Sequence, residues 1–180
     1  MLLLMFTGCG ADAPKKAAGT SMTISPSAFS EETEDVIALL KGKDENIMFF
    51  DYAVDDTVNY VTIDIWVHEN GEWVDGGNTS GPLGASEERI GLRFREDGYD
   101  IYAGGICSYD AEMSYGGFSD TKGWGAYQLS DTTENRVNEE IPLWVKIGDD
   151  GNGVSVSKNF REVDCQAGIA ATITFSDEEL

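Results

Sequence analysis

The sequence predicts an all-β domain: a two-layer antiparallel β-sandwich, jelly-roll or immunoglobulin-like, with one short N-terminal helix. Three observations carry that expectation. About eight to ten segments alternate apolar and polar residues with a period of two, the pattern of strands with one buried face. Turn formers separate these segments at short spacing. Only one stretch has helical spacing, which disfavours a sheet built from repeated helical crossovers and leaves a sandwich or an open barrel.

Taken in order, residues 22–24 make a short first strand, and Ser25-Pro26 turns the chain. Residues 30–40 are the helix. Ser30 caps it, Glu31, Glu32 and Glu34 complement the positive end of its dipole, and Lys41 complements the negative end. Val36, Leu39 and Leu40, with Phe29 just outside, form an apolar stripe expected to pack on a sheet edge. Gly42 stops the helix.

Residues 46–54 and 58–69 hold the two clearest alternating runs. In the second, Val61, Ile63, Ile65 and Val67 share one face, while Tyr60, Thr62, Asp64, Trp66 and His68 share the other. Asn70-Gly71 can adopt the positive φ angles of a tight hairpin, returning the chain through residues 72–74. Residues 75–88, rich in glycine and turn formers, are expected to be irregular.

Residues 89–95 and 99–103 follow as strands around Asp97-Gly98, and Gly104-Gly105 suggests a bulge before residues 106–115. Residues 124–129 form a short strand, and the polar segment 130–140 a loop. Pro142, at the second position of the strand 141–147, suits a strand end or edge. Residues 149–153 turn the chain into a strand at 154–157. The last strand spans 163–175, and its in-phase alanines Ala167 and Ala171 imply a crowded, central position.

The amino terminus carries an address. An apolar run at residues 2–6 meets Thr7-Gly8-Cys9, which resembles the lipobox of bacterial lipoproteins. Phe6 stands where that motif more often has leucine. The resemblance implies that Cys9 is acylated on sulfur and becomes the mature N-terminus, tethered to the extracytoplasmic face of a bacterial membrane. No Lys or Arg precedes the run, and it is shorter than the usual ~7–15 residues, so it reads as a truncated signal. Residues 10–21 are small and patternless, suited to a flexible spacer. The expected organisation is thus signal and spacer over 1–21 and one β-sandwich domain over 22–180.

Thirty-three acidic against twelve basic residues give a formal charge of −21. That charge repels polyanions, so nucleic acid is excluded as a partner and an anionic membrane surface is unfavourable for the folded domain. Calcium is the most reasonable ion, through Asp149, Asp150 and Asn152 or through Asp55 and Asp56, although a hairpin turn explains the same residues and no cofactor is required. One histidine and two cysteines beyond Cys9 cannot build a four-ligand zinc site. Cys107 and Cys165 are a candidate disulfide, or else two buried thiols.

The nucleophile-elbow pattern GxSxG and the phosphate-binding glycine patterns are absent. Enzymatic chemistry therefore has no motif behind it. A secreted hydrolase would need a carboxylate of raised pKa beside a second acid. The better candidates for binding are Tyr60, Trp66, His68 and Trp144, because Trp66 and Trp144 fall in phase with faces that should meet water. Exposed tryptophan stacks on sugar rings or anchors a protein partner. The expectation is a tethered binding or structural domain, with a carbohydrate-binding module and a secreted hydrolase as alternatives.

Overall fold

The computed structural model describes residues 21–179, except 44, 96, 104–105, 113–117 and 152–153; for 106–112 it describes backbone pairing alone. The predicted architecture is present: two antiparallel sheets packed face to face, with one short helix. The strands are β1 (Thr23–Pro26), β2 (Asn46–Ala53), β3 (Tyr60–Glu69), β4 (Glu72–Pro82), β5 (Glu87–Phe94), β6 (Gly98–Ala103), β7 (Ile106–Glu112), β8 (Gly123–Gln128), β9 (Thr133–Glu134), β10 (Glu140–Asp149) and β11 (Ala167–Ser176). The first sheet runs β7-β6-β5-β2-β1-β9 and the second β4-β3-β11-β10-β8.

The main core lies between the sheets. Ile24, Phe50, Leu92 and Ile101 enter it from the first, and Ile63, Ile65, Ile173 and Phe175 from the second. The apolar alternation of β2, β3 and β5 supplies these residues, and burying them is the chief stabilising contribution. β11 is the central strand of its sheet, and all ten of its residues are buried. Small side chains there make room for large neighbours. A Cβ at Gly168 would stand only 2.5 Å from the Trp73 ring and 3.0 Å from the His68 Cβ.

The β3–β4 hairpin turns at Asn70 and Gly71, with φ of 53° and 87°, the left-handed values that Asn and Gly tolerate best. β4 then continues to Pro82, well into the stretch expected to be irregular. Its glycines fit because β4 is an edge strand, zipped to β3 by the ladder, with a register shift opposite Ile65 and Trp66. Gly77 takes φ 121°, beside the Tyr99 hydroxyl. The Gly104-Gly105 bulge falls outside the described residues, and the β6–β7 register shifts between Ile101 and Ala103.

Four further expectations are corrected. Residues 154–157 join no ladder, and β11 begins at Ala167 instead of residue 163, with a 3₁₀ turn at Phe160–Glu162 between them. β10 carries a bulge between Pro142 and Trp144. The bulge reverses the phase of the strand, so Leu143 and Trp144 both enter the main core. Helix α1 (Glu31–Leu40) is capped as predicted, with the Thr33 amide donating to Ser30 Oγ. Yet it buries no residue: its apolar stripe points to solvent. Thr33 and Ile37 are half-buried, and Phe29, just before the helix, packs edge-on to Phe49 and beneath the Arg89 guanidinium.

Candidate functional site

The side chains that alternation assigns to water on β3 meet a third layer of structure. Residues 154–166, the cover segment, cross the outer face of the second sheet. Phe160 from this segment joins Val145, Ile147, Cys165 and Ala170 in a second, smaller core, with Trp66, Trp73, Val154, Val156 and Val163 packed against it. Trp73 meets Phe160 edge to face at 4.7 Å, and His68 meets Trp73 at 5.4 Å. His68 is consequently buried, and its Nδ1 hydrogen-bonds to no protein group. Among the described residues no acid hydrogen-bonds to it, so no second group there orients it as a base.

An ion pair clamps the cover to the sheet. Arg161 donates to both oxygens of Glu140, Nη1 to Oε2 at 2.6 Å and Nη2 to Oε1 at 2.8 Å. Glu140 Oε1 also accepts from Thr172 Oγ1 at 2.9 Å and from Trp66 Nε1 at 3.1 Å. The Arg161 guanidinium lies 4.2 Å over the Trp66 ring. Burial alone would raise the Glu140 pKa, but Arg161, Thr172 and Trp66 together hold it below the usual carboxylate range. With four donors on its two oxygens, Glu140 has little capacity left for a water or a sugar hydroxyl. It is an anchor.

Asp64, on the same outer face, behaves oppositely. Partial burial, then the charges of Glu140 and Asp75, push its pKa up to about 6, against the pull of Arg161. The unfolded carboxyl titrates near 3.8, so between these values the fold holds a proton that the unfolded chain has lost. The resulting stability is complete below the lower value and is lost as pH rises through about 6. Asp64→Asn is therefore expected to stabilise the protein by about 1–2 kcal/mol at ~pH 7.5, the linkage value discounted for partial exposure, and to change little at ~pH 4. Denaturant midpoints at the two pH values check this, and equal shifts at both would show that Asp64 is not the titrating group.

Beside the clamp opens a cleft of about 460 Å³ between β8, β10 and the cover, lined by Tyr127, Leu129, Pro142, Lys158 and Arg161 among others. It mixes aromatic and apolar surface with several charged groups, including the clamp pair Glu140 and Arg161.

The sequence-predicted residues are only partly brought together. Trp66 is in the clamp, half-covered. Trp144 is 4% exposed and stacks on Phe94 at 4.4 Å in the main core, a correction that removes it from any binding surface. Tyr60, half-buried, stands at the far end of β3, paired with Pro82 and Ser176. Asp55 Oδ1 accepts from the Thr57 amide and hydroxyl, which makes it a turn former. Asp149 and Asp150 share a shallow cleft with Asp164 and Cys165. Among the described residues, no group of three or more His, Cys, Asp or Glu has the arrangement to hold a metal ion. Asn152 lies outside the described residues, as do Cys9 and the side chain of Cys107. Cys165 is a free, buried thiol whose pKa burial pushes up to about 11, aided by Asp164 and Asp149.

Arg161, Glu140 and Phe160 escape sequence reasoning. Phe160 and Arg161 lie in a patternless stretch and Glu140 closes a polar loop, so no periodicity marks any of them. The available signal is Trp66, a tryptophan on a strand face assigned to water, which demands either a ligand or a cover. Fold and site define a β-sandwich domain with a clamped cover over one outer face. In comparisons with known proteins, no family model, no curated protein and no solved structure matches the chain.

Proposed function

We propose that the chain is a bacterial lipoprotein, tethered through Cys9 to the extracytoplasmic face of the membrane, whose β-sandwich binds a ligand or serves a structural role there. The observation that carries this reading is Thr7-Gly8-Cys9 after an apolar run, separated by a patternless spacer from a domain whose first strand starts at Thr23. Among the described residues no helix is long and apolar enough to cross a membrane. Attachment would therefore rest on the lipid. Cys9→Ala is expected to move the protein from the membrane fraction to the soluble fraction, with loss of the acyl mass from its N-terminal peptide. Membrane retention without acyl mass would sink the tether.

The cleft beside the clamp is the ligand site we favour, and a glycan is the first class to test, since the Tyr127 ring and the polar groups around it suit a sugar's mixed surface. Titration of a glycan set against the wild-type chain and Tyr127→Ala distinguishes this from a purely structural role. A hydrolase reading gains Asp64, a carboxyl of raised pKa near a second acid. It is weakened by Glu140, whose oxygens are committed to Arg161, Thr172 and Trp66, whereas glycoside hydrolysis needs two acids free to face the scissile bond.

A further inference from the structure

We propose that the carboxyl-terminal half of α1 docks into the lipid bilayer surface, as a second contact beside the acylated Cys9. Six large hydrophobic side chains are exposed among the described residues, and three of them sit on this one ten-residue helix: Val36 at 49%, Leu39 at 85% and Leu40 at 69%. Positions 36, 39 and 40 lie on one face of a helix, so the three form a continuous ridge. The other three, Val74, Tyr102 and Trp124, stand on three separate strands. A ridge of this kind costs solubility unless something covers it.

The tether, more than charge, says what covers it. The acidic residues of the helix, Glu31, Glu32, Glu34 and Asp35, fill its first half, and the last acid precedes the ridge. Lys41 and Lys43 follow the ridge directly, are exposed, and make no ion pair with any described residue. With lysines along its carboxyl-terminal edge, the apolar tip suits an interface in which the stems lie along acyl chains and the ammonium groups reach lipid phosphates. The net charge of −21 opposes approach to an anionic surface. That repulsion is screened beyond about 8 Å at physiological ionic strength, but Glu32 and Asp35 stand one turn before Val36 and Leu39, so at contact the apolar ridge and the two lysines act against these two acids.

Three side chains bind a bilayer weakly on their own. The tether removes that difficulty, and here the inference rests on the lipoprotein reading. Residues 10–21 span at most about 40 Å when extended. A link no longer than this holds a domain at roughly millimolar effective concentration, enough to populate a weak contact.

The test is flotation of the full chain with phosphatidylcholine vesicles containing a phosphatidylglycerol fraction. It compares Cys9→Ser with Cys9→Ser carrying Leu39→Glu and Leu40→Glu. Both chains keep the apolar residues 2–6, so any difference belongs to the helix. The helix variant is expected to lose at least about fivefold in partition coefficient. Its thermal midpoint should be unchanged, since neither leucine is buried. Equal flotation of the two chains, or none by either, overturns the docking whatever the state of Cys9. A leucine-dependent dimer in solution, without leucine-dependent flotation, also overturns it and makes a second copy of the chain the partner. If flotation depends on the leucines but Cys9 carries no acyl group in cells, the docking stands and the tether alone fails.

Discussion

Trp144→Ala is expected to destabilise the domain by about 3–5 kcal/mol, the cost of emptying an aromatic site in a close-packed core. Trp144 is nearly inaccessible, stacks on Phe94 across the sandwich, and contributes to the main core beside Leu143. Denaturant unfolding measures the change. A loss below ~1 kcal/mol would mean that the ring faces solvent, as strict alternation along β10 predicts, and that the bulge at Leu143 does not form.

Phe160→Ala is the second large effect, and it should be divided differently. Removing the ring empties the centre of the small outer core and takes one ring contact each from Trp73, which keeps His68, and from the Arg161 guanidinium, which keeps Trp66. A loss of about 3 kcal/mol is expected. Because the cover segment joins no strand ladder, it should open before the sandwich does. Hydrogen exchange can resolve this. The Gln166 amide, bonded to the Gly148 carbonyl, should lose protection, while amides of β3 and β11 such as Ile63 and Ile173 retain most of theirs. Uniform loss would show that cover and sandwich form one cooperative unit, and the picture of a separable third layer would fail.

These two residues mark where sequence reasoning reached its limit. Alternation locates strands well because it records the local pleat. β2, β3 and β5 stand where expected, and Asn70-Gly71 makes the predicted turn. Alternation cannot register an extra residue. One bulge after Pro142 turned Trp144 from an apparent surface tryptophan into a core residue. It is equally blind to a cover supplied from elsewhere in the chain. Trp66 and His68 look solvent-facing because Arg161 and Phe160, more than ninety positions away, carry no pattern of their own. The converse error occurred at α1, where an amphipathic stripe implies a packing partner and no described residue covers it.

The sequence by itself determined the class of fold, the helix cap, the principal hairpin, the central place of β11 and the absence of familiar catalytic motifs. Each depends on residue type at short range: period-two apolarity, glycine at positive φ, a serine oxygen at an N-cap. Tertiary structure alone decided which faces are wet, that Glu140 is an anchor while Asp64 is a titrating acid, and that the Val36, Leu39 and Leu40 face of α1 is left bare. Those outcomes depend on which groups meet across the fold, because desolvation, ion pairing and cover are properties of neighbours in space and leave no trace in the spacing of a single strand.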